Sequence, residues 1–189
     1  QLKAAQLSTP TAVPTTILDR EIALGRLALV TKQPELAAAH ARNAINESPD
    51  EADGYALLGQ ILETTGDSKA AMAQYESAVE RKSKDGFVYH RLGGILAMRS
   101  SDDLTPLLAR RIATYQEQAI NRGIFNLNVF QELAEALMVA EPLGVDDRLF
   151  LELGRRYHPS DGKIVLGLAV HLKKAGDCVG SQALVAALL

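Results

Sequence analysis

The alternation of apolar, small and polar residues between Tyr55 and Ala78 sets the pattern for the whole chain. Tyr55, Leu58, Gly59 and Leu62 fall three or four apart, Gly66-Asp67 interrupts them, and Ala71, Tyr75 and Ala78 resume the spacing. This spacing predicts two amphipathic helices joined by a turn at the Gly-Asp pair. The first half recurs as Tyr89, Leu92, Gly93 and Leu96, each 34 residues further on, and the same step taken backwards reaches Leu24-Gly25, then Ala37, Ala41 and Ala44. A period of that length, with small residues set between large apolar ones, predicts stacked two-helix repeats rather than one closed core.

Carried along the chain, the period predicts five units. The first covers 18–51 and the second 52–85, with Pro49 where a second helix must stop. The third, 86–126, is longer because Ser100-Ser101-Asp102-Asp103 stretches its central turn. Thr105 as N-cap and Pro106 in the first helical position then start a helix of roughly Pro106 to Arg122, which Gly123 closes. The fourth, 127–161, places Phe130, Leu133, Ala134 and Leu137 on its first helix. After one extra residue in the Glu141-Pro142-Leu143-Gly144 turn, Leu151, Gly154 and Pro159 fall into the second-helix positions. The fifth, 162–189, repeats the pattern through Val165, Leu168, Ala169, Leu172, Gly176-Asp177, Ser181, Val185 and Leu188 and stops a turn short. Residues 1–16, with Ser8-Thr9-Pro10-Thr11 and Pro14-Thr15-Thr16, read as a linker or extended arm, and 17–189 as a single helical-repeat domain.

These residues resemble the tetratricopeptide repeat (TPR) family, whose pattern is large-x-x-Leu-Gly-x-x-aromatic followed by a small residue, an aromatic, a small residue and a proline. The departures are the absence of Trp, Glu21 where an aromatic is usual, Ser83 in place of the proline, and the stretched third unit. The resemblance implies an all-α, right-handed solenoid of antiparallel helix pairs whose first helices line an inner wall. That wall carries the second, fifth, ninth and twelfth residues of each unit, and the expected partner contacts are Arg26, Gln60, Phe87, His90, Gln131 and Glu135 at such positions, with Arg91 at the sixth. Phe87 is either a binding anchor or a cap on the inter-repeat core, and His90 reads as an ordinary surface histidine. One family subgroup clamps a chaperone C-terminal carboxylate. The matching positions here hold Ile22, Arg26, Leu57, Phe87 and Arg91, of which Arg91 alone fits, so no such clamp is expected.

Composition narrows the class of activity. Hydrophobic residues make up 47% of the 189, enough for a continuous core, while aromatics are 5% and Trp is absent, which favours close-packed helices. A net charge of −3 gives no reason to expect a nucleic-acid partner, and the basic excess over 81–111 reads as solvated helix surface. No apolar run reaches the length of a membrane span, and no signal peptide is recognisable. The lone Cys178 allows no intrachain disulfide, so cytoplasmic and periplasmic settings are both compatible. The chain reads as an excised or processed piece, and the natural protein is expected to continue past Leu189.

No chemistry-bearing constellation emerges. His40, His90, His158 and His171 lack the spacing that puts two metal ligands on one helix face, and Cys178 reads as an unreactive thiol in a turn. Gly93-Gly94 is a helix-packing pair rather than a phosphate loop, and Glu132 with Glu135 reads as an ordinary surface pair. The expected function is therefore a non-catalytic, cofactor-free protein–protein interaction scaffold that holds a peptide or helix in its groove. Two alternatives stand beside it: a recruitment or assembly domain of a larger enzyme or secretion machine, and self-assembly through the apolar end from Val179 to Leu189.

Overall fold

The computed structural model describes residues 16–100 and 103–186. Residues 1–15 of the arm expected at 1–16, Ser101-Asp102 of the stretched turn, and Leu188 lie outside them. All regular structure among the described residues is helical: α1 (Ile17–Val30), α2 (Pro34–Glu47), α3 (Ala52–Thr64), α4 (Ser68–Glu80), α5 (Gly86–Arg99), α6 (Pro106–Asn121), α7 (Leu127–Val139), α8 (Asp147–Tyr157), α9 (Gly162–Lys174) and α10 (Cys178–Ala186). Consecutive helices pair, and the pairs stack in chain order.

Local chemistry fixes where the helices start. Thr16 closes a capping box on α1, its hydroxyl accepting from the Asp19 N–H at 3.0 Å while the Asp19 carboxylate accepts from the Thr16 N–H at 3.2 Å. Asp67, Asp85, Thr105, Asn126 and Asp161 cap α4, α5, α6, α7 and α9 in the same sense, each side chain taking a first-turn N–H that has no carbonyl partner. The turns after α3 and α9 pass through Gly66 and Gly176 at φ +90° and +89°, and the equivalent turn after α1 uses Lys32 at φ 59°.

Packing depends on small residues letting helix axes approach. A Cβ on Gly25 would lie 2.7 Å from Leu57, one on Gly59 would lie 2.7 Å from the Tyr75 ring, and one on Gly167 would lie 2.7 Å from the Ala134 Cβ. Gly25–Leu57 and Gly167–Ala134 join one pair to the next, whereas Gly59–Tyr75 holds a pair together. Tyr75, Ala71, Ala78, Leu92, Phe130, Leu133, Leu137 and Leu151 are all essentially inaccessible, and they belong to a core that runs across pairs two to five. A second cluster joins pair one to α3 through Ile22, Ala41, Ala44, Leu57 and Ile61. At about 25 cal/mol per Å² of apolar area, stability resides in these junctions rather than in any single pair.

Pair four departs from the regular arrangement. α8 packs more on α9 than on its own partner α7, after a connection from Ala140 to Asp146 that is longer than the Thr65–Asp67 turn of pair two. Cys178, expected in a turn, opens α10 and is exposed.

The close contact at Gly59 gives a direct stability test. Gly59→Ala is expected to cost about 1–3 kcal/mol, because the fully buried Tyr75 ring has nowhere to move. Gly162→Ala, in the first turn of α9 with open space around its Cβ, is expected to be neutral or to stabilise by up to about 1 kcal/mol. Chemical denaturation of both variants checks the pair.

Candidate functional site

The first helices stand in one row. α1 lies against α3, α5 against α7 and α7 against α9, and an ion pair ties α5 to α3. Their polar residues are largely engaged with one another. Arg91 on α5 forms a two-pronged pair with Glu63 on α3, its Nε 2.8 Å from Oε1 and its Nη2 donating to the same carboxylate. Glu63 also accepts from the Tyr75 hydroxyl at 2.9 Å. Gln131 on α7 donates to the Asp161 carboxylate at 2.7 Å, and Lys163 on α9 pairs with Glu135 at 2.5 Å.

These contacts place the seven expected residues in different situations. Arg26 is exposed and Gln60 half-buried, and neither has a side-chain partner among the described residues. Phe87 is half-buried and packs against the main core. Arg91, Gln131 and Glu135 are each committed to a neighbouring helix. The surface placement expected for His90 is incorrect: the ring is 5% exposed, and its Nδ1 lies 3.0 Å from Gln116 Oε1 and 3.5 Å from Glu132 Oε2.

His90 is buried because Gln116 occupies the position that Tyr75 fills in pair two. A Cβ on Gly93 would touch Gln116 just as one on Gly59 would touch Tyr75. A polar group at the centre of a pair needs polar neighbours, and Gln116 donates to Glu132 at 2.7 Å while accepting from His90. Burial raises the Glu132 carboxyl above its usual range, and nearby His90 and Arg91 oppose the shift. Glu132 is therefore part of an internal network and not an ordinary surface carboxylate.

A second polar cluster ties pair three to pair four. Asp147, at the register of Ala71, is 1% exposed. Its two oxygens accept from Arg110 Nη1 at 2.6 and 2.8 Å, and one also accepts from the Gly144 N–H at 2.7 Å. Arg110 donates in addition to Glu117. Burial pushes the Glu117 carboxyl up to about 7; Arg110 opposes this and the Asp147 carboxylate adds to it. His171 on α9 is buried with no hydrogen bond to its Nδ1, and burial lowers its pKa. Pair one answers the same problem at Glu21, where His40 at 2.8 Å and Asn43 at 3.2 Å hold the carboxyl below its usual range. The signal for these residues lay in the register: a polar residue where other units carry an aromatic or alanine.

No group of three or more His, Cys, Asp or Glu side chains able to hold a metal occurs among the described residues, and no helix there is long and apolar enough to cross a membrane. No protein-family model matches the chain, and no curated protein matches it. Solved structures do. YrrB, a TPR protein with an unusual peptide-binding site, superposes with a TM-score of 0.63 over 88% of this chain and 81% of its own, at 14% identity. The fold is the tetratricopeptide-repeat fold. PilF of Pseudomonas aeruginosa matches with a TM-score of 0.55 at 20% identity, covering 91% of this chain and 75% of that one. MamA of Desulfovibrio magneticus RS-1 matches at 0.56 and 11%, covering 93% and 95%.

Within this TPR-like array, Glu117 supplies a pH test. Its folded pKa of about 7 lies above the ordinary carboxylate value of 4.5, so the folded state holds the proton better than the unfolded chain. Its contribution is complete below about pH 4.5 and is lost as pH rises through 7. Relative to wild type, Glu117→Gln is expected to gain stability over that window, by on the order of 1–3 kcal/mol at pH 8. Denaturant melts of both proteins at pH 5, 6, 7 and 8 check the sign, and a gap that narrows with rising pH would contradict it.

Proposed function

We propose that this chain is a non-catalytic interaction scaffold, with residues from 17 onward working as one array that holds a peptide or helix of a partner along the row of first helices. The observation that carries the reading is how differently the two halves of that row are prepared. Toward α1 and α3, Arg26 and Gln60 have no partners among the described residues, while toward α7 and α9 the polar residues are bolted to one another. A rigid wall with free hydrogen-bonding groups at one end suits a ligand that makes few but directional polar contacts. The peptide-binding site described for YrrB, which shares the fold, supports the class of ligand.

The test is selection of binders from a random peptide library with the full chain as bait. A triple change, Arg26→Ala, Gln60→Ala and Phe87→Ala, is expected to weaken the best binder at least about tenfold, corresponding to 1.4 kcal/mol, with helical content unchanged. Equal binding by the triple variant would remove the inner-wall assignment.

Self-association is a second reading, favoured by one observation. Leu166, Ala169, Val170, Ser181 and Val185 line an apolar depression of about 470 Å³ between α9 and α10. They stand 144 residues after Ile22, Gly25, Arg26, Ala37 and Ala41 on α1 and α2, and Gly25 is the residue against which α3 seats Leu57. The depression therefore matches a helix of the α3 kind, and α1 of a second copy, with Leu24 and Leu27 exposed, supplies one. Gel filtration is expected to show apparent mass rising with concentration in the wild type and not in Val185→Glu. A mass constant over a hundredfold dilution series would exclude it.

A further inference from the structure

One register stripe along the second helices changes character at α8. The register positions Lys69, Ala73, Ser77 and Arg81 along α4 correspond to Arg110, Thr114, Gln118 and Arg122 along α6, all polar or small. At α8 the same four positions are Val145, Leu149, Leu153 and Tyr157. Val145 is fully exposed, Leu149 is 62% exposed and Tyr157 is 53% exposed. Val145 lies in the turn before α8; along the helix, Leu149 and Tyr157 are the exposed members of a run four apart whose middle residue, Leu153, is half-buried against the main core.

The stripe borders a groove. Because α8 leans toward α9, a space of about 450 Å³ opens beside it, walled by Ile120 and Asn121 at the end of α6, by Phe125, and by Asp146, Leu149, Phe150 and Leu153. The floor is apolar: Ile120 and Phe150 are buried, and Phe125 stacks on Tyr157 with ring centroids 5.2 Å apart. At the C-terminal end of α8, Arg155 and Arg156 border an adjoining depression shared with Leu149 and Leu153. Both arginines are exposed, and neither has an ion-pair partner among the described residues, whereas Arg148 on the same helix is paired with Glu152 at 2.7 Å.

We propose that this groove docks a short acidic amphipathic helix of another protein, its apolar face laid on Leu149, Leu153 and Tyr157 and its carboxylates meeting Arg155 and Arg156. Shape and charge decide among occupants. Leu149 to Tyr157 spans about 12 Å of helix, two turns, which a partner helix lying alongside matches at i and i+4. A concave site does not suit a flat bilayer, and the nearby acidic groups leave the arginine pair unmatched: Asp146 lies at the opposite end of α8 and Glu152 is paired with Arg148. Residues 1–15 of this chain carry Lys3 and no acidic residue, so they lack the charge to meet the arginine pair.

The experiment uses two phage-displayed helical peptide libraries with leucines fixed four apart, one bearing Glu and the other Lys at the flanking positions, selected against the full chain. The Glu library is expected to yield binders and the Lys library none. A selected binder is expected to lose at least about thirtyfold in affinity to Leu149→Asp, the scale of a central contact residue. It should lose about tenfold to the double change Arg155→Glu and Arg156→Glu, a difference of 1.4 kcal/mol. Arg26→Ala with Gln60→Ala should leave it unchanged, which separates this surface from the inner wall. Leu149→Asp is at an exposed site, and an unaltered circular dichroism melt confirms that it folds. The proposal is overturned if the Glu library yields no more binders on the wild type than on Leu149→Asp, or if its binders ignore both α8 variants. It is equally overturned if Leu149→Asp abolishes a dimer of this chain, or if phosphatidylserine vesicles bind through Arg155 and Arg156 while no peptide does.

Discussion

The whole structure depends on helix axes approaching closely at positions where one residue is too small to keep them apart. Gly25 admits Leu57, Gly59 admits the Tyr75 ring, Gly154 admits Phe130 and Gly167 admits Ala134. The small residue faces a helix of its own pair at some contacts and a helix of the next pair at others. These contacts give apolar faces that no pair can cover alone a neighbour to cover them, so order propagates along the stack. The same requirement explains the composition. Alanine and glycine hold the axes close, leucine and tyrosine fill what remains, and an indole is not needed.

Glu21, Gln116 and Asp147 stand where other units carry an aromatic or an alanine, and each is partnered across a gap between helices, unlike the Nδ1 of buried His171. Glu21 is met by His40 and Asn43 from α2, Gln116 by His90 and Glu132, and Asp147 by Arg110 and the Gly144 N–H. A buried polar group with satisfied partners adds little net stability, but its partners become expensive to remove because an unpaired charge or amide would be left behind. The networks at Gln116 and Asp147 fall in pairs three and four, where the period stretches. Apolar packing there is less regular, and polar contacts define how α6, α7 and α8 sit.

The sequence was most informative where local spacing alone decides the outcome. The 34-residue period, the turn at Gly66-Asp67, the cap at Thr105 and the helix-ending Gly123 are properties of neighbouring residues, and the helices follow them. The environments of single side chains were not legible in that way. His90 reads as surface-facing until Gln116, 26 residues away, is found in the place of a tyrosine. Arg91 and Glu63 lie 28 residues apart, and Arg110 and Asp147 lie 37 apart, so neither pairing follows from any i to i+4 rule. The proposed wall was therefore marked out by register, while its electrostatic state depends on partners that only the folded stack brings together.

That state constrains how any ligand engages the row of first helices. A carboxylate entering near Arg91 must compete with Glu63, which already accepts from two of its nitrogens and from Tyr75, and a guanidinium must displace Arg91 from Glu63. Exchanging one well-formed ion pair for another yields little net free energy, yet a ligand that opens the pair and fails to replace it leaves a half-buried charge unmatched. Such pairs therefore reject wrong ligands more strongly than they attract right ones. On the proposed reading, attraction would come from the unpaired groups near Arg26 and Gln60 and from apolar surface, so that affinity and selectivity would belong to different parts of the same wall.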